Sequence, residues 1–410
     1  MYSKFLELCS RRFLDGYRVQ CSPSKFDNII VAMSSGVDSS VCAALYAGFP
    51  NVSGIYMQNW SEQSEPISSN ANNEPCYEKD WKDVKRVASH LNIPVERANF
   101  EKDYWLDVFE PMLQEYERGY TPNPDIGCNK FLKFGKLRTY LNQKYGCGNY
   151  WLVTGHYARV QIHKTTEENH LLRGYYSAKD QSYYLSQVDP AVLDSLLMPI
   201  GHLTKPEVRQ WADKAGLPTA SKPDSQGICF VNNSQKRFHD FLNEYLPIKR
   251  GHFISVDVLT GEKRVWGEHK GLWTYTIGQK VGLPMPQGDP RYKGAWYVSE
   301  KHMDTNDIVI VRGTDNESLY KQNVTVSNFT TIGVIKTIIH DMKDAIAKGL
   351  LYMQFRSLQD PIRVVSCKWE DRHKLTLLLS AKQRAMAPGQ YCCIYLQDRV
   401  LGSGIISSTF

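Results

Sequence analysis

Ile29-Ile30-Val31-Ala32-Met33-Ser34-Ser35-Gly36-Val37-Asp38-Ser39-Ser40-Val41-Cys42-Ala43-Ala44-Leu45 is the stretch on which the reading turns. Ile29 to Met33 is a short apolar, β-prone run and reads as a strand buried on both faces. The small polar residues Ser34 to Ser40 cannot extend it, and Val41 to Ala47 reads as a helix. A strand that turns through small residues into a helix presents free backbone N–H groups at a helix start, where phosphate binds. Gly36 permits close backbone approach, the serines add hydroxyl donors, and Asp38 is a candidate to hold Mg2+ between phosphates. No G-x-x-x-x-G-K-[ST] is present, so a loop that transfers a γ-phosphoryl group is not supported. The plainer alternative is an ordinary serine-rich turn, and the order strand, loop, helix favours the phosphate site.

The same alternation continues outward. Val52 to Met57 reads as a second strand, Asp80 to Leu91 as a helix with Trp81, Val84, Ala88 and Leu91 on one face, and Val95 to Phe100 as a strand. Trp151 to Thr154 follows as another buried strand, then a hairpin, then a helix opened by Thr204 and Glu207 in capping-box spacing and stopped by Gly216 and Pro218. Ser61 to Pro75, rich in Ser, Asn and Glu, is expected to be a poorly ordered surface excursion. This pattern predicts an α/β fold with a doubly wound, mostly parallel sheet over residues 27–238. Residues 239–305 read as a small central linker domain. Beyond it, strands at Ile308 to Val311, Val324 to Val326, Leu351 to Phe355, Ile362 to Cys367, Leu375 to Leu379 and Tyr391 to Leu396 predict a C-terminal β-barrel over 306–410.

At 410 residues the chain is too long for one core, which suits two or three domains. Hydrophobic residues at 42% and charged residues at 22% are those of a soluble globular protein, and no apolar run approaches the roughly 20 residues of a membrane helix. A net charge of +6 suits a polyanionic partner without requiring one. Ten cysteines with no C-x-x-C exclude zinc-ribbon spacing and point to a reducing compartment. Residues 1–26 carry Lys4, Arg11, Arg12, Arg18 and Lys25 against Glu7 and Asp15, which predicts an organellar presequence or, failing that, a frayed basic tail.

Two further loops carry cysteines. In Thr121-Pro122-Asn123-Pro124-Asp125-Ile126-Gly127-Cys128-Asn129-Lys130 the prolines and glycine fix a turn ahead of an amphipathic helix. Asp125 and Cys128, three apart, share a turn. A thiol at a helix start has its thiolate favoured, so Cys128 is a candidate nucleophile and Asp125 its proton-transfer partner; a buried structural thiol beside a capping aspartate is an equal alternative. Lys222-Pro223-Asp224-Ser225-Gln226-Gly227-Ile228-Cys229-Phe230 presents a second cysteine in a polar turn, a weak signal alone. The two make sense together if one carries sulfur and the other resolves the bond by thiol exchange. His156 at a strand end is as well explained by structure as by catalysis, Cys392-Cys393 by packing on opposite faces of a strand, and Cys76 has no assignment.

The loop at Ser34 to Ser39 resembles the S-G-G-x-D-S signature of the PP-loop ATP pyrophosphatase superfamily, with Ser35 in place of one glycine. Such enzymes split ATP to AMP and pyrophosphate and activate an oxygen by adenylation. Together with Tyr56 to Trp60, Thr154 to Tyr157, Leu172 to Gly174, Lys179 to Tyr183 and Tyr275 to Gln279, the three loops resemble the tRNA-specific 2-thiouridylase family from about residue 27 to about 406. The basic leader makes the chain look like a fungal mitochondrial member, placed in the matrix.

What the resemblance implies is specific. Ala32, Met33, Ser34, Ser35, Gly36, Val37, Asp38, Ser39, Met57 and Gly155 are expected to contact ATP. Asn123, Pro124, Asp125, Lys179, Asp180, Gln181, Arg356 and Ser357 are expected to face tRNA, although Ser357 stands where the family usually has Tyr. The substrate is the anticodon stem-loop of the tRNAs for Lys, Glu and Gln, thiolated at C2 of the wobble uridine. O2 attacks the α-phosphate of ATP, sulfur carried as a persulfide on Cys229 displaces AMP, Cys128 forms a disulfide with Cys229, and Asp125 moves protons. A persulfide donor protein is the implied partner. An iron-sulfur cluster on Asp125, Cys128 and Cys229 is not excluded at this level. Two rivals stand beside this reading: a PP-loop ligase adenylating a small metabolite for amination, which needs no cysteine pair, and a catalytically silent RNA-binding protein, against which Asp38 and Ser39 speak.

Overall fold

Residues 1–61, 74–224, 238–257, 260–286 and 288–410 are described by a computed structural model. They group into two units: Met1–Val108 with Asp125–Ser234 and Asp398–Leu401, and Phe109–Pro124 with Gln235–Gln397 and Gly402–Phe410. Most of the surface excursion expected at 61–75 lies outside the described residues, as does Cys229.

The first unit begins with helix α1 (Tyr2–Ser10) and a short strand β1 (Tyr17–Val19). Then come β2 (Asn28–Ala32), α2 (Val37–Tyr46), β3 (Val52–Gln58), α3 (Cys76–Leu91) and β4 (Val95–Asn99). Helix α4 (Leu137–Tyr145), β5 (Tyr150–Val153), the hairpin β6 (Ala158–His163) and β7 (Asn169–Arg173), β8 (Leu196–Leu197) and α5 (Lys205–Lys214) complete it. The sheet is parallel throughout, in the order β4-β3-β2-β5-β8, with Ile29 paired to Val52 and to Trp151. Central β2 is covered on both faces, with Ile29 and Val31 fully buried, which explains its unbroken apolar run. Nine of the ten residues of α2 are buried, all but Asp38, so the helix behind the loop is locked in the core and the loop is held from both ends.

Several expected boundaries move. Helix α3 starts at Cys76, directly after Pro75, one turn earlier than the apolar face announced. The amphipathic helix expected after Cys128 starts at Pro124 and runs on through Cys128–Lys136 in wider, π-type turns. In those turns Gly135 approaches the Lys130 carbonyl, 3.0 Å from where a Cβ would stand, which accounts for a glycine inside a helix. Residues 1–26 are no frayed tail: Phe5 and Cys9 are 4% and 3% exposed in the core, and β1 pairs antiparallel with β6. Their basic residues drew attention from a buried apolar stripe.

In the second unit, β9 (Gly251–Val256), β10 (Lys263–His269), β11 (Lys280–Val281), β12 (Trp296–His302) and β13 (Asp307–Arg312) form a sheet in the order β10-β9-β13-β12-β11. Strand β13 therefore belongs to this sheet and not to the barrel, which moves the boundary expected at 305/306 past Arg312. The barrel is built from β14 (Tyr320–Thr331), β15 (Leu351–Gln354), β16 (Ile362–Trp369), β17 (Leu375–Arg384), β18 (Tyr391–Leu396) and β19 (Arg399–Thr409), with helix α6 (Ile335–Lys348) inserted after β14. Its order, β14-β17-β16-β15-β18-β19, closes through the β19–β14 pairing, so no edge is left. Leu375, Leu377 and Leu379 alternate into its core. Cys392 and Cys393 are both fully buried. Strand β19, broken by Gly402 and Gly404, had no clean alternation to reveal it; a Cβ at Gly402 would lie 2.2 Å from the Thr330 carbonyl. The helix Glu110–Glu117 also belongs to this unit, although it falls within the range 27–238 expected for the α/β domain.

The capping box read from Thr204 and Glu207 is present, with the Thr204 amide donating to Glu207 Oε2 at 2.8 Å and the Glu207 amide donating to Thr204 Oγ1 at 3.4 Å. Thr204→Ala is expected to weaken the start of α5 by about 1 kcal/mol. Hydrogen exchange at the first-turn amides of α5 should accelerate about fivefold while those of β2 are unchanged.

Candidate active site

The loop between β2 and α2 is tied by its own serines. The Ser34 amide donates to Ser39 Oγ at 3.1 Å, and the hydroxyls of Ser39 and Ser40 donate to the Gly36 carbonyl at 3.1 and 2.9 Å. No side chain caps α2, so its first-turn N–H groups remain donors for a ligand. Gly155 closes over them from the end of β5: a Cβ there would sit 3.0 Å from the Ser39 nitrogen and 3.3 Å from Asp38 Cβ. Of the loop residues named from the sequence, Met33 and Val37 are 3% exposed and serve the core, while Ala32 and Met57 are partly open.

Ser35, which replaces the usual glycine, has φ of 64°. A non-glycine residue in this left-handed region costs about 1 kcal/mol or more. Its side chain recovers part of that: Ser35 Oγ donates to Asp80 Oδ1 at 2.6 Å and accepts from Lys222 Nζ at 2.9 Å. Lys222 also reaches Asp83 at 2.8 Å and Asp80 at 3.2 Å. Burial works against the charges of Asp83 and Lys222, yet their mutual pairing outweighs it and shifts the carboxyl down and the ammonium up.

Asp38 is held by Tyr157 and Lys205. The Tyr157 hydroxyl donates to Oδ1 at 2.8 Å, and Lys205 Nζ donates to Oδ1 and Oδ2 at 2.8 and 2.9 Å. Burial, and then the Asp38 charge, push the Tyr157 phenol far up, so it stays a neutral donor. Lys205 at the same time lies 2.8 Å from Asp224 Oδ1, and Asp224 accepts from Lys179 at 2.9 Å and Arg209 at 2.6 Å. Burial alone would raise the Asp224 carboxyl; Lys205 and Lys179 reverse that and hold it at about 2. Asp38 retains partial exposure, 30% of its side chain, so that one of its oxygens could be lent to a divalent cation. Among the described residues no group of three or more His, Cys, Asp or Glu stands together as a metal cage.

Asp125 lies in the first helical turn and Cys128 one turn on, 6% exposed. Cys128 is therefore past the helix start, and the dipole acts chiefly on Asp125. Burial raises the Asp125 carboxyl, with Lys133 opposing, which suits a proton carrier. The side-chain Nδ2 of Asn129 donates to the Asp125 backbone carbonyl at 3.0 Å. Asp180, expected to face tRNA, is 7% exposed and saturated: it accepts from the Gly174 and Ser182 amides at 2.9 and 3.0 Å, from Ser182 Oγ at 2.9 Å and from Arg173 at 3.2 Å. Gln181, partly buried, accepts through Oε1 from the Tyr157 amide at 3.0 Å, and Lys179 is the most exposed member of that trio. His156 is buried, its basicity pushed well below normal by burial and then Lys133, and its Nδ1 is 2.8 Å from Thr154 Oγ1; it is a neutral packing residue against Phe134.

In the second unit, Arg356 is exposed beside partly buried Ser357, and its guanidinium donates to the Ala385 carbonyl at 2.7 Å. The segment that leads from the helix Glu110–Glu117 to Asn123 and Pro124 is pinned there by Lys301 Nζ donating to the Gly119 carbonyl at 2.8 Å and by the Thr121 amide donating to the Pro388 carbonyl at 3.0 Å.

Sequence reasoning did not find Tyr157, Lys205, Arg209, Lys222, Asp224 or Asp80. All stand in or near stretches that drew attention, yet pairings such as Lys205 with Asp38, 167 residues apart, leave no local pattern. The Ser35 geometry gives a sharp test. Ser35→Gly removes strain and hydroxyl together and should leave stability within about 1 kcal/mol of wild type, whereas Ser35→Ala keeps the strain, loses the hydroxyl and should be less stable than the glycine variant by about 1 kcal/mol. Urea midpoints in the order Ala above Gly would contradict the strained assignment.

Residues 27–233 match the family described as tRNA methyl transferase HUP domain, 239–312 the tRNA methyl transferase PRC-barrel domain and 334–406 the aminomethyltransferase beta-barrel domain. The chain is 60% identical over 413 residues to the mitochondrial tRNA-specific 2-thiouridylase 1 of Saccharomyces cerevisiae, covering 99% of this chain and 98% of that protein. It is 35% identical to the protein of the same name from Schizosaccharomyces pombe, covering 98% and 95%. With the tRNA-specific 2-thiouridylase MnmA of Enterococcus faecalis it shares 39% identity, covering 93% and 96%. Full-length similarity of this extent, across all three matched segments, is decisive: the chain belongs to the tRNA-specific 2-thiouridylase family.

Proposed function

We propose that this chain is an ATP-dependent tRNA-uridine 2-sulfurtransferase acting on the wobble uridine in mitochondria, in the matrix. The observation that carries the reading is the full-length similarity to thiouridylases, two of them named mitochondrial. A metabolite-amidating ligase would leave the matched segments 239–312 and 334–406 without a role.

The α-phosphate is attacked by uridine O2, pyrophosphate leaves, and C2 becomes electrophilic. The open N–H groups at the start of α2 and the hydroxyls of Ser34 and Ser39 receive phosphate oxygens. Magnesium, held through Asp38, would neutralise the leaving pyrophosphate. Lys205 and Lys222 are the cations placed to meet incoming phosphate charge. The terminal sulfur of a persulfide on Cys229 then attacks C2 and expels AMP, leaving uridine bound through a disulfide to Cys229. The Cys128 thiolate attacks Cys229 Sγ, forms the protein disulfide and releases the thiolated base; an external reductant and a persulfide donor protein reset the pair. Asp125, raised by burial, takes and returns the protons of this exchange. Lys179, Gln181, Arg356, Ser357, Asn123 and Pro124 complete the tRNA-facing set, with phosphate contacts giving salt-dependent affinity. The expected tRNAs are those for Lys, Glu and Gln.

Three outcomes test the reading. Asp38→Asn should lose AMP formation by at least a hundredfold while tRNA affinity changes less than about threefold. Cys229→Ser should lose thiolation and persulfide, whereas Cys128→Ser should accept sulfur and stall with tRNA attached, seen by mass spectrometry of tRNA nucleosides and of tryptic peptides. Because the Asp125 carboxyl is raised, single-turnover sulfur transfer should increase with pH through an apparent pKa above the ordinary carboxylate value of about 4, and Asp125→Asn should remove that step from the pH profile. AMP formation that persists in Asp38→Asn would refute the assignment of the loop.

A further inference from the structure

The segment ahead of the family match, residues 1–26, is built into the catalytic unit. Tyr2 packs against Tyr46 and Phe49 with ring centres 5.2 and 5.3 Å away, Phe5 against Trp211 at 6.5 Å, and Phe13 against His202 at 5.9 Å. Tyr46 ends α2 and Trp211 lies on α5, so α1 bridges the two helices that frame the phosphate loop. Gln20 Nε2, buried, donates to the Leu193 carbonyl at 2.7 Å.

Arg12 is the polar centre of this contact. Its guanidinium grips both carboxylate oxygens of Glu207 at 2.7 and 2.9 Å, donates to the His202 carbonyl at 2.6 Å and stacks 4.2 Å over the Tyr175 ring. A two-pronged guanidinium–carboxylate contact fixes direction as well as distance. Glu207 is the third residue of α5 and closes its capping box; Lys205, the first residue of that helix, holds Asp38. One helical turn thus carries both ends of a relay from the N-terminal segment to the loop.

We propose that residues 2–20 remain in the mature enzyme as part of its catalytic unit, and that Arg12, through Glu207 and the start of α5, is a positioning residue for the Lys205–Asp38 contact and so for ATP. Cleavage at residue 26 would strip Glu207 of its guanidinium, uncover Trp211 and Tyr46, and take an edge strand from β6. The two fungal relatives match 99% and 98% of this chain, which leaves room for only a few unmatched residues in either comparison, while the bacterial protein matches 93%. The proposal rests on the assignment of the loop to ATP.

The test is steady-state AMP formation with full-length protein, varying ATP and tRNA separately. Arg12→Met should raise KM for ATP about three- to tenfold, with KM for tRNA and the far-ultraviolet spectrum unchanged, and Arg12→Lys should recover part of the loss. Arg11→Met is the control, because Arg11 is largely exposed and among the described residues its side chain pairs with Glu7, and should match wild type. Should Arg12→Met fail to fold, Arg12→Lys, which keeps the charge and one of the two prongs, should still show a raised KM for ATP. In parallel, peptide mapping of the protein isolated from mitochondria should recover peptides from Tyr2 to Arg11. An unchanged KM for ATP in folded Arg12 variants, or a fully active mature chain beginning after Arg12, overturns the proposal. Absence of any ATP requirement in the wild-type protein would instead remove the assignment of the loop.

Discussion

A single ammonium, Lys205 Nζ, lies 2.8 Å from Asp38 and 2.8 Å from Asp224, and the catalytic unit is arranged around it. Two partly buried carboxylates side by side are an electrostatic liability: each repels the other, and taking either out of water without a cation beside it is costly. Lys205 answers both problems at once. Its placement cannot be left to a flexible side chain alone, because a lysine stem has four rotatable bonds and would sample many positions. Helix α5 begins at Lys205, its first turn is closed by Thr204 and Glu207, and Arg12 clamps Glu207 from outside. The backbone origin of the ammonium is thereby fixed through Glu207, by the capping box on one side and Arg12 on the other.

The strand, loop and helix from Ile29 to Leu45 were legible because each obeys a local rule: an apolar run without polar alternation, small residues at a turn, a helix apolar on every side. The capping box at Thr204 was legible for the same reason, as were five of the six barrel strands, whose alternating positions report a half-buried surface. What escaped was non-local or locally ambiguous. Strand β19 carries two glycines, required where β14 passes close, and glycine argues against a strand by propensity. Strand β13 looked like the first of the barrel because its apolar run says that it is buried, not which sheet buries it. The basic residues of 1–26 read as a leader, although Phe5, Cys9 and Phe13 are spaced to cover one helix side and the turn that follows it. The cation–carboxylate pairs are invisible in sequence because nothing near Lys205 records Asp38.

Ser35 shows how far a motif can be trusted. The family resemblance allowed for a glycine there, and its substitution looked harmless unless the backbone needed a left-handed residue. It does, at φ 64°, and the chain keeps serine. Strain of about 1 kcal/mol survives only when the surroundings over-determine the conformation. Here the surroundings are Asp80 and Lys222, which the hydroxyl joins and a glycine could not. The departure from the motif is therefore compensated by contacts that the motif does not contain.

Lys222 and Asp224 give that compensation wider consequence, since they lead into the segment that carries Cys229. Lys222 is anchored on Ser35 and Asp83, Asp224 on Lys205, Lys179 and Arg209, so both residues are fastened by charge and hydrogen bond to the loop between β2 and α2 and to the helix α5 beside it. These contacts are only partly buried, which keeps them exchangeable: an anion arriving at the loop competes with Asp38 and Asp224 for Lys205, and with Asp80 and Asp83 for Lys222. Whatever ammonium it wins leaves a carboxylate short of a partner, and a half-buried carboxylate without a partner is costly enough to shift its backbone or take a metal ion. The ion pairs that steady the loop between β2 and α2 are thus the same ones that hold Lys222 and Asp224, so a charge that disturbs one end of this network is felt at the other.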